Sequence, residues 1–160
     1  MILSTHAIVG GAIASLFPSH PVAVAAAGFA SHFAIDAIPH WDYPLRSISL
    51  GPGSRNEFRL DRARLRDLTL IGFDAFAGMA LAVYLFATSA TVTVILLGAF
   101  AAILPDPLQF VHSLYPRAPL NWLQRFHLWI HTDRKLDWQI GVSSQIAFAM
   151  AVIGVVAELR

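Results

Sequence analysis

No cysteine occurs anywhere in the chain. That absence removes disulfides, thiolate metal ligands and cysteine nucleophiles from consideration. Charge is scarce as well: Asp, Glu, Lys and Arg make up 13% of the residues, against about 25% in ordinary soluble domains. A formal net charge of +1 lacks the strongly basic balance of a nucleic-acid binder, so no nucleic-acid partner is expected. The first residues show no basic stretch and no small-residue cleavage site, and a removable signal peptide is not expected either. What is plentiful is apolar: 56% of the 160 residues are hydrophobic. A chain of this length has too much surface for its volume to hide that fraction from water. Lipid is therefore the expected second solvent.

Five apolar segments can be drawn, at residues 2–17, 21–38, 68–88, 91–104 and 138–159. A full bilayer crossing takes about 20 residues, with a range of about 17–25. The third and fifth reach that length; the first, second and fourth would need tilt or a locally thinned bilayer. The turn Phe17-Pro18-Ser19-His20-Pro21 and the connection Thr88-Ser89-Ala90-Thr91 separate neighbouring segments, the prolines by removing donors and disfavouring helix before them. The expected fold is all-α: one domain over residues 1–160, a polytopic transmembrane bundle of four or five membrane helices. Polar stretches at 39–67 and 105–137 read as loops, and the aromatic-rich run 122–130 as an amphipathic interfacial helix.

Short turns after the first and third segments bring both polar stretches to one face. That face holds Arg46, Arg55, Arg59, Arg62, Arg64, Arg66, Arg117, Arg125, Arg134 and Lys135, and only Arg160 lies opposite. The excess of positive charge makes that face cytoplasmic and sets the C-terminus outside. Most of these arginines suit a loop beside anionic lipid. Arg46 or one of the arginines of 55–66 could in addition hold a substrate phosphate.

The same topology gathers costly polar residues at that face. The run Ser31-His32-Phe33-Ala34-Ile35-Asp36-Ala37-Ile38-Pro39-His40-Trp41-Asp42 closes an apolar segment on groups that must be desolvated or paired. His32 and Asp36 are four apart and share a helix face. His40 extends that face unless Pro39 bends the chain. Neutral imidazole and carboxylate are suitable ligands for zinc, and also for manganese or iron. On this ground His6, His32, Asp36, His40, Asp74, His127 and His131 are the candidate metal ligands. His6 lies beside Gly10, Gly11 and Ala14, a small face that lets another helix approach. Asp74 is an isolated acid within a long apolar segment. His127 and His131 have a sound two-ligand spacing, though no Glu follows the first. Asp106, between Pro105 and Pro107, reads equally as a ligand or as a solvated turn, and His112 is a weaker candidate. The competing reading for each is an interfacial residue that tolerates headgroups and water.

Thr5-His6, Ile38-Pro39-His40-Trp41-Asp42, Leu104-Pro105-Asp106 and His127…His131-Thr132 together resemble the bacterial inner-membrane family known as membrane-bound metal-dependent hydrolases. More distantly they look like zinc-dependent phospholipase C. The likeness covers most of the chain as spaced short motifs. It departs where His40 stands in place of the family's usual Asp, and where no Arg-Gly separates the late histidines. The resemblance implies a multi-pass protein of the bacterial inner membrane, a divalent metal and hydrolysis of a phosphoester or related ester. His32-x-x-x-Asp36 also looks like the last motif of the type 2 phosphatidic-acid phosphatases, but the preceding helix lacks the basic residue that motif needs.

The mechanism expected is hydrolytic. Water made acidic by one or two divalent metals would attack the ester, with Asp42 or Asp106 as general base. The acyl or prenyl tail of a lipid-linked substrate would stay in the bilayer. Two other classes remain open at this level: a proton- or cation-coupled transporter, and a non-catalytic membrane scaffold. Homo-oligomer formation is left open too.

Overall fold

Proline and aspartate mark where several helices of this chain begin. In the computed structural model, which describes residues 1–160 apart from Pro52, Arg55, Glu57 and Phe58, seven helices are found. They are α1 (Leu3–Leu16), α2 (Pro21–Asp36), α3 (Arg62–Phe86), α4 (Val92–Ile103), α5 (Pro105–Leu114), α6 (Leu120–Ile130) and α7 (Trp138–Leu159). Pro21 and Pro105 occupy first-turn positions, where a missing N–H is no loss and the fixed φ suits a helix. Asp61 caps α3 by accepting from the Arg64 N–H at 2.8 Å, a favoured role for aspartate at that position. Among the described residues there is no strand, so the all-α expectation holds. Arg55, one of the arginines considered for holding phosphate, lies outside the described residues.

Helix α1 is the axis of the structure. It packs against α2, α3, α4 and α7, and its Leu3, Ala7, Ile8 and Ala12 share one core with Ala82, Phe86, Ile95, Ala99 and Val156. A helix that is apolar on every side is one covered on every side. The closest approach is between Gly10 of α1 and Gly98 of α4: a methyl group added to either would overlap the other's carbonyl oxygen. Only glycine lets two backbones come this near. Gly98→Leu is therefore expected to force α4 off α1. The loss should be at least the about 1–3 kcal/mol typical of overpacking, read as a lower unfolding temperature in detergent; an unchanged temperature would refute this packing.

Among the described residues two helices, α3 and α7, are long and apolar enough to cross a membrane, and α4 with α5 makes a third candidate span if the pair, bent by 46°, is counted as one. Phe73, Phe76 and Tyr84 of α3 and Ile140, Ile146 and Met150 of α7 are exposed, as lipid-facing side chains should be. Helices α1 and α2, at 14 and 16 residues, fall short of a full crossing. The four or five spans expected from hydropathy are thus resolved as two or three candidates. The apolar character of α1 comes from protein contact.

The polar stretches are also more ordered than loops. Helix α3 begins at Arg62, so Arg62, Arg64 and Arg66 are helical, and residues 105–130 are largely α5 and α6. Helix α6 coincides with the expected amphipathic helix: Trp122 and Trp129 point outward, 71% and 76% exposed, while Gln124 and His127 are buried.

Candidate metal centre

The last turn of α2 carries His32 and Asp36 inward, both buried, and everything else in the centre is arranged around the Asp36 carboxylate. Its Oδ2 lies 3.3 Å from His32 Nε2, 3.3 Å from His127 Nε2 and 3.8 Å from His131 Nε2. Its Oδ1 lies 3.2 Å from His6 Nε2 and 4.0 Å from His40 Nε2. The His6 and His32 rings are stacked, with centroids 4.0 Å apart. Asp106, in the first turn of α5, adds a second carboxylate 3.3 Å from His32 Nε2 and 3.9 Å from His127 Nε2. Asp42 adds a third, 3.0 Å from His40 Nε2 and 3.9 Å from His131 Nε2.

Local chain geometry explains the convergence. Helix α2 ends before Pro39, and the chain turns so that His40 and Asp42 face back toward Asp36. Residues 132–136 run alongside this turn: the Thr132 N–H donates to Asp36 O at 2.9 Å, the Leu136 N–H to His40 O at 3.0 Å, and His40 and Lys135 form an isolated parallel bridge. His131, just past the end of α6, is thereby set against His40, ring centroids 4.9 Å apart. The bend between α4 and α5 brings Asp106 in from the opposite side.

Carbonyl oxygens orient three of the imidazoles. His32 Nδ1 meets Ala102 O at 2.8 Å, His40 Nδ1 meets Ile38 O at 2.7 Å, and His131 Nδ1 meets Thr132 O at 3.0 Å. A carbonyl only accepts, so each Nδ1 carries a hydrogen and Nε2 is the atom turned toward the centre. This is the arrangement that second partners impose on metal-binding histidines. Ala102 sits in the last turn of α4, whose carbonyls lack helical partners. His32 Nε2 and both ring nitrogens of His6 are buried without any hydrogen bond, although carboxylate oxygens lie within 3.3 Å of the two Nε2 atoms. Burial with nothing to bond costs about 1–3 kcal/mol per group, and a cation among lone pairs and carboxylates removes that cost. The donor set fits a divalent metal of the zinc, manganese or iron type. Among the described residues two groups converge tightly enough to hold one: His32, Asp36, Asp106 and His127; and Asp36, His40 and His131, the ligand atoms of each lying within 4.8 Å of one another.

Asp74 is not in either group. Its Oδ2 accepts from the Ser4 N–H at 2.8 Å and from the Tyr43 hydroxyl at 2.5 Å, and Tyr43 in turn accepts from the Leu3 N–H at 2.8 Å. Burial, with Asp74 beside it, pushes the Tyr43 hydroxyl well above its ordinary range, so it stays a donor. Asp74 therefore satisfies the free donors at the start of α1 and fixes the turn after His40. His112 is turned away toward Asn121, at 2.8 Å. Arg46 is exposed, and its backbone N–H donates to Asp67.

Several residues that the sequence reading passed over position the centre. Gln145 of α7 accepts from the Ile2 N–H and donates to Trp41 O, both at 3.0 Å. Asp67 of α3 accepts from the backbone of Arg46 and Ser47 at 2.8 and 2.7 Å and from the Ser47 hydroxyl at 2.9 Å, which anchors the loop carrying Leu45 and Ile48. The Met1 amino group lies 2.6 Å from Asp36 Oδ1, 2.9 Å from His40 Nε2 and 3.2 Å from Asp42 Oδ1. Lys135 pairs with Asp42. Burial would raise the Asp42 carboxyl, but His40, the amino group and Lys135 together hold it below the usual carboxylate range. Burial also lowers His131, which favours its neutral form.

A cavity of about 560 Å³ opens onto the centre. Asp36, Asp106, His127 and His131 form its floor, Leu45, Ile48, Leu50 and Leu128 give it apolar walls, and Lys135 and Asp42 stand at its side. No family model, curated protein or solved structure matches the chain.

Proposed function

We propose that the protein is a metal-dependent hydrolase of the bacterial inner membrane, cleaving a phosphoester or related ester of a lipid-linked substrate at the cytoplasmic interface. The observation that carries the reading is the set of Nε2 and carboxylate oxygen atoms converging on the floor of a cavity with apolar walls. It agrees with the hydrolase family that Thr5-His6, the Pro39-His40-Trp41-Asp42 turn and Pro105-Asp106 resemble. On this reading α3, α7 and the α4–α5 pair cross the bilayer, α1 and α2 are short helices embedded among them, and Trp122 and Trp129 of α6 rest at the headgroup level. The excess of arginine in the polar stretches 39–67 and 105–137 supports a cytoplasmic side for it.

His32, Asp36, Asp106 and His127 would hold the metal, and zinc suits two imidazoles and two carboxylates best. A divalent metal supplies acidification of water and polarisation of the ester oxygen. The protein's own groups do the rest. Leu45, Ile48 and Leu128 take the apolar part of the substrate and exclude bulk water. Lys135 faces a phosphate at the cavity side. With Asp106 engaged as a ligand, Asp42, which lines the cavity and lies outside that set, would accept the proton of the attacking water. Asp42 holds His40 and Lys135 in place.

Detergent-purified protein is expected to contain zinc, manganese or iron by elemental analysis, and to release phosphate or alcohol from short-chain phospholipid or prenyl-phosphate substrates. His32→Ala should lose metal and lower turnover by roughly 10³-fold, the scale of losing the metal's effect on water. A metal-free protein that is fully folded and active would end this reading.

A further inference from the structure

We propose that the outer face of α3 holds one anionic phospholipid, its phosphate between Arg62 and Arg66 and an acyl chain along Phe73 and Phe76. The proposal does not depend on the hydrolase reading, since neither arginine lines the cavity over the metal centre. Helical spacing carries it first. Residues 62, 66, 69, 73 and 76 follow one another at steps of three or four, so they form one stripe along the helix. From the start of α3 that stripe runs from two guanidinium groups, past the Thr69 hydroxyl, to two phenyl rings. A phospholipid has the same order: charged headgroup, polar ester region, acyl chain. Arg62 to Phe73 covers about 16 Å along the axis, at about 1.5 Å per residue.

The stripe is open to such an occupant. Arg62, Leu65, Arg66, Thr69, Leu70 and Phe73 line a shallow groove of about 510 Å³. Leu65, Phe73 and Phe76 are 56%, 72% and 69% exposed, and α3 is long and apolar enough to cross a membrane, so lipid is what meets this face. Charge then selects the lipid. Like charges four apart on a helix repel, and Arg62 has no partner among the described residues. Two acids adjoin the arginines, and both are committed to backbone N–H groups: Asp61 to Arg64, Asp67 to Arg46 and Ser47. Asp67 also lies 3.1 Å from Nη1 of Arg66. Among the described residues that line the groove, the charged ones are both arginine. A phosphodiester between them offsets their repulsion, and the guanidinium fork matches its oxygens.

Native mass spectrometry of the detergent-purified full chain, titrated with dioleoylphosphatidylglycerol or dioleoylphosphatidylcholine, is the test. One phosphatidylglycerol is expected to bind about tenfold or more tightly than phosphatidylcholine. Arg62→Gln combined with Arg66→Gln should weaken it by roughly 30-fold, the scale of two arginines beside an anionic headgroup. The same charge change at the exposed Arg117 and Arg125 should leave the affinity unchanged. Equal losses in the two double variants would make the attraction diffuse and overturn the site, as would a wild-type chain without lipid preference. Displacement of the lipid by an equal concentration of inorganic phosphate would overturn it too, in favour of a free anion. If Arg62→Gln with Arg66→Gln does not fold, the wild-type chain still decides, photolabelled by phosphatidylglycerol bearing a diazirine near its ester carbons. Label within residues 62–76 supports the site; label spread over α7 instead overturns it.

Discussion

Asp36→Asn is expected to abolish metal retention and hydrolysis together, a larger effect than any other single substitution in the centre. The amide keeps the shape of the side chain but removes the charge that faces His6, His32, His40, His127, His131 and the Met1 amino group. Losing a group that merely orients a ligand weakens metal binding by about 10–100-fold, so losing the carboxylate common to both candidate groups should exceed that range. Stability should fall as well. His6 and His32 would lose a buried carboxylate partner at 3.2 and 3.3 Å, and breaking a buried pair from one side costs about 3–5 kcal/mol. Elemental analysis and thermal unfolding in detergent check the two parts separately. Wild-type metal content in Asp36→Asn would contradict the central role given to this carboxylate.

The second large effect is expected from Asp74→Ala, and it has a different signature. Removing this carboxylate strands the Ser4 N–H and the Tyr43 hydroxyl. A buried group left unpaired costs about 1–3 kcal/mol; because both sites are partly exposed, the sum should be about 3 kcal/mol. The unfolding temperature should drop while metal content per folded chain stays at the wild-type level. Asp74→Ala protein that keeps its stability but loses its metal would make Asp74 a ligand instead of a brace.

These two aspartates show what the sequence could and could not convey. Both are acids embedded in apolar surroundings, and both read as candidate ligands. Asp36 was legible because its partner His32 lies four residues away on the same helix face, a relation set by helix geometry alone. Asp74 takes its partners from the start of α1 and from Tyr43, and one of them is a backbone N–H, which leaves no trace in residue type. His127 and His131 were recognisable as a pair. What sets His131 beside His40 is the backbone pairing of residues 132–136 with 36–40, and such pairing is not encoded in side-chain spacing. Hydropathy found the apolar segments well but could not tell lipid from protein as the covering. The apolar surface of α3 faces outward, whereas that of α1 is covered by four other helices. Gly10 and Gly11 advertised a close neighbour, but not that Gly10 would meet α4 and Gly11 would meet Ala82 of α3.

The central place of α1 has a consequence for biogenesis. Its packing partners include α3, α4 and α7, all synthesised after it, so this helix must wait for later ones to complete its surroundings. The histidine it carries joins a cluster whose remaining members extend to residue 131. A metal ion bound there would be captured only after residue 131 has left the ribosome, and it would act as a lock on helices that are already packed.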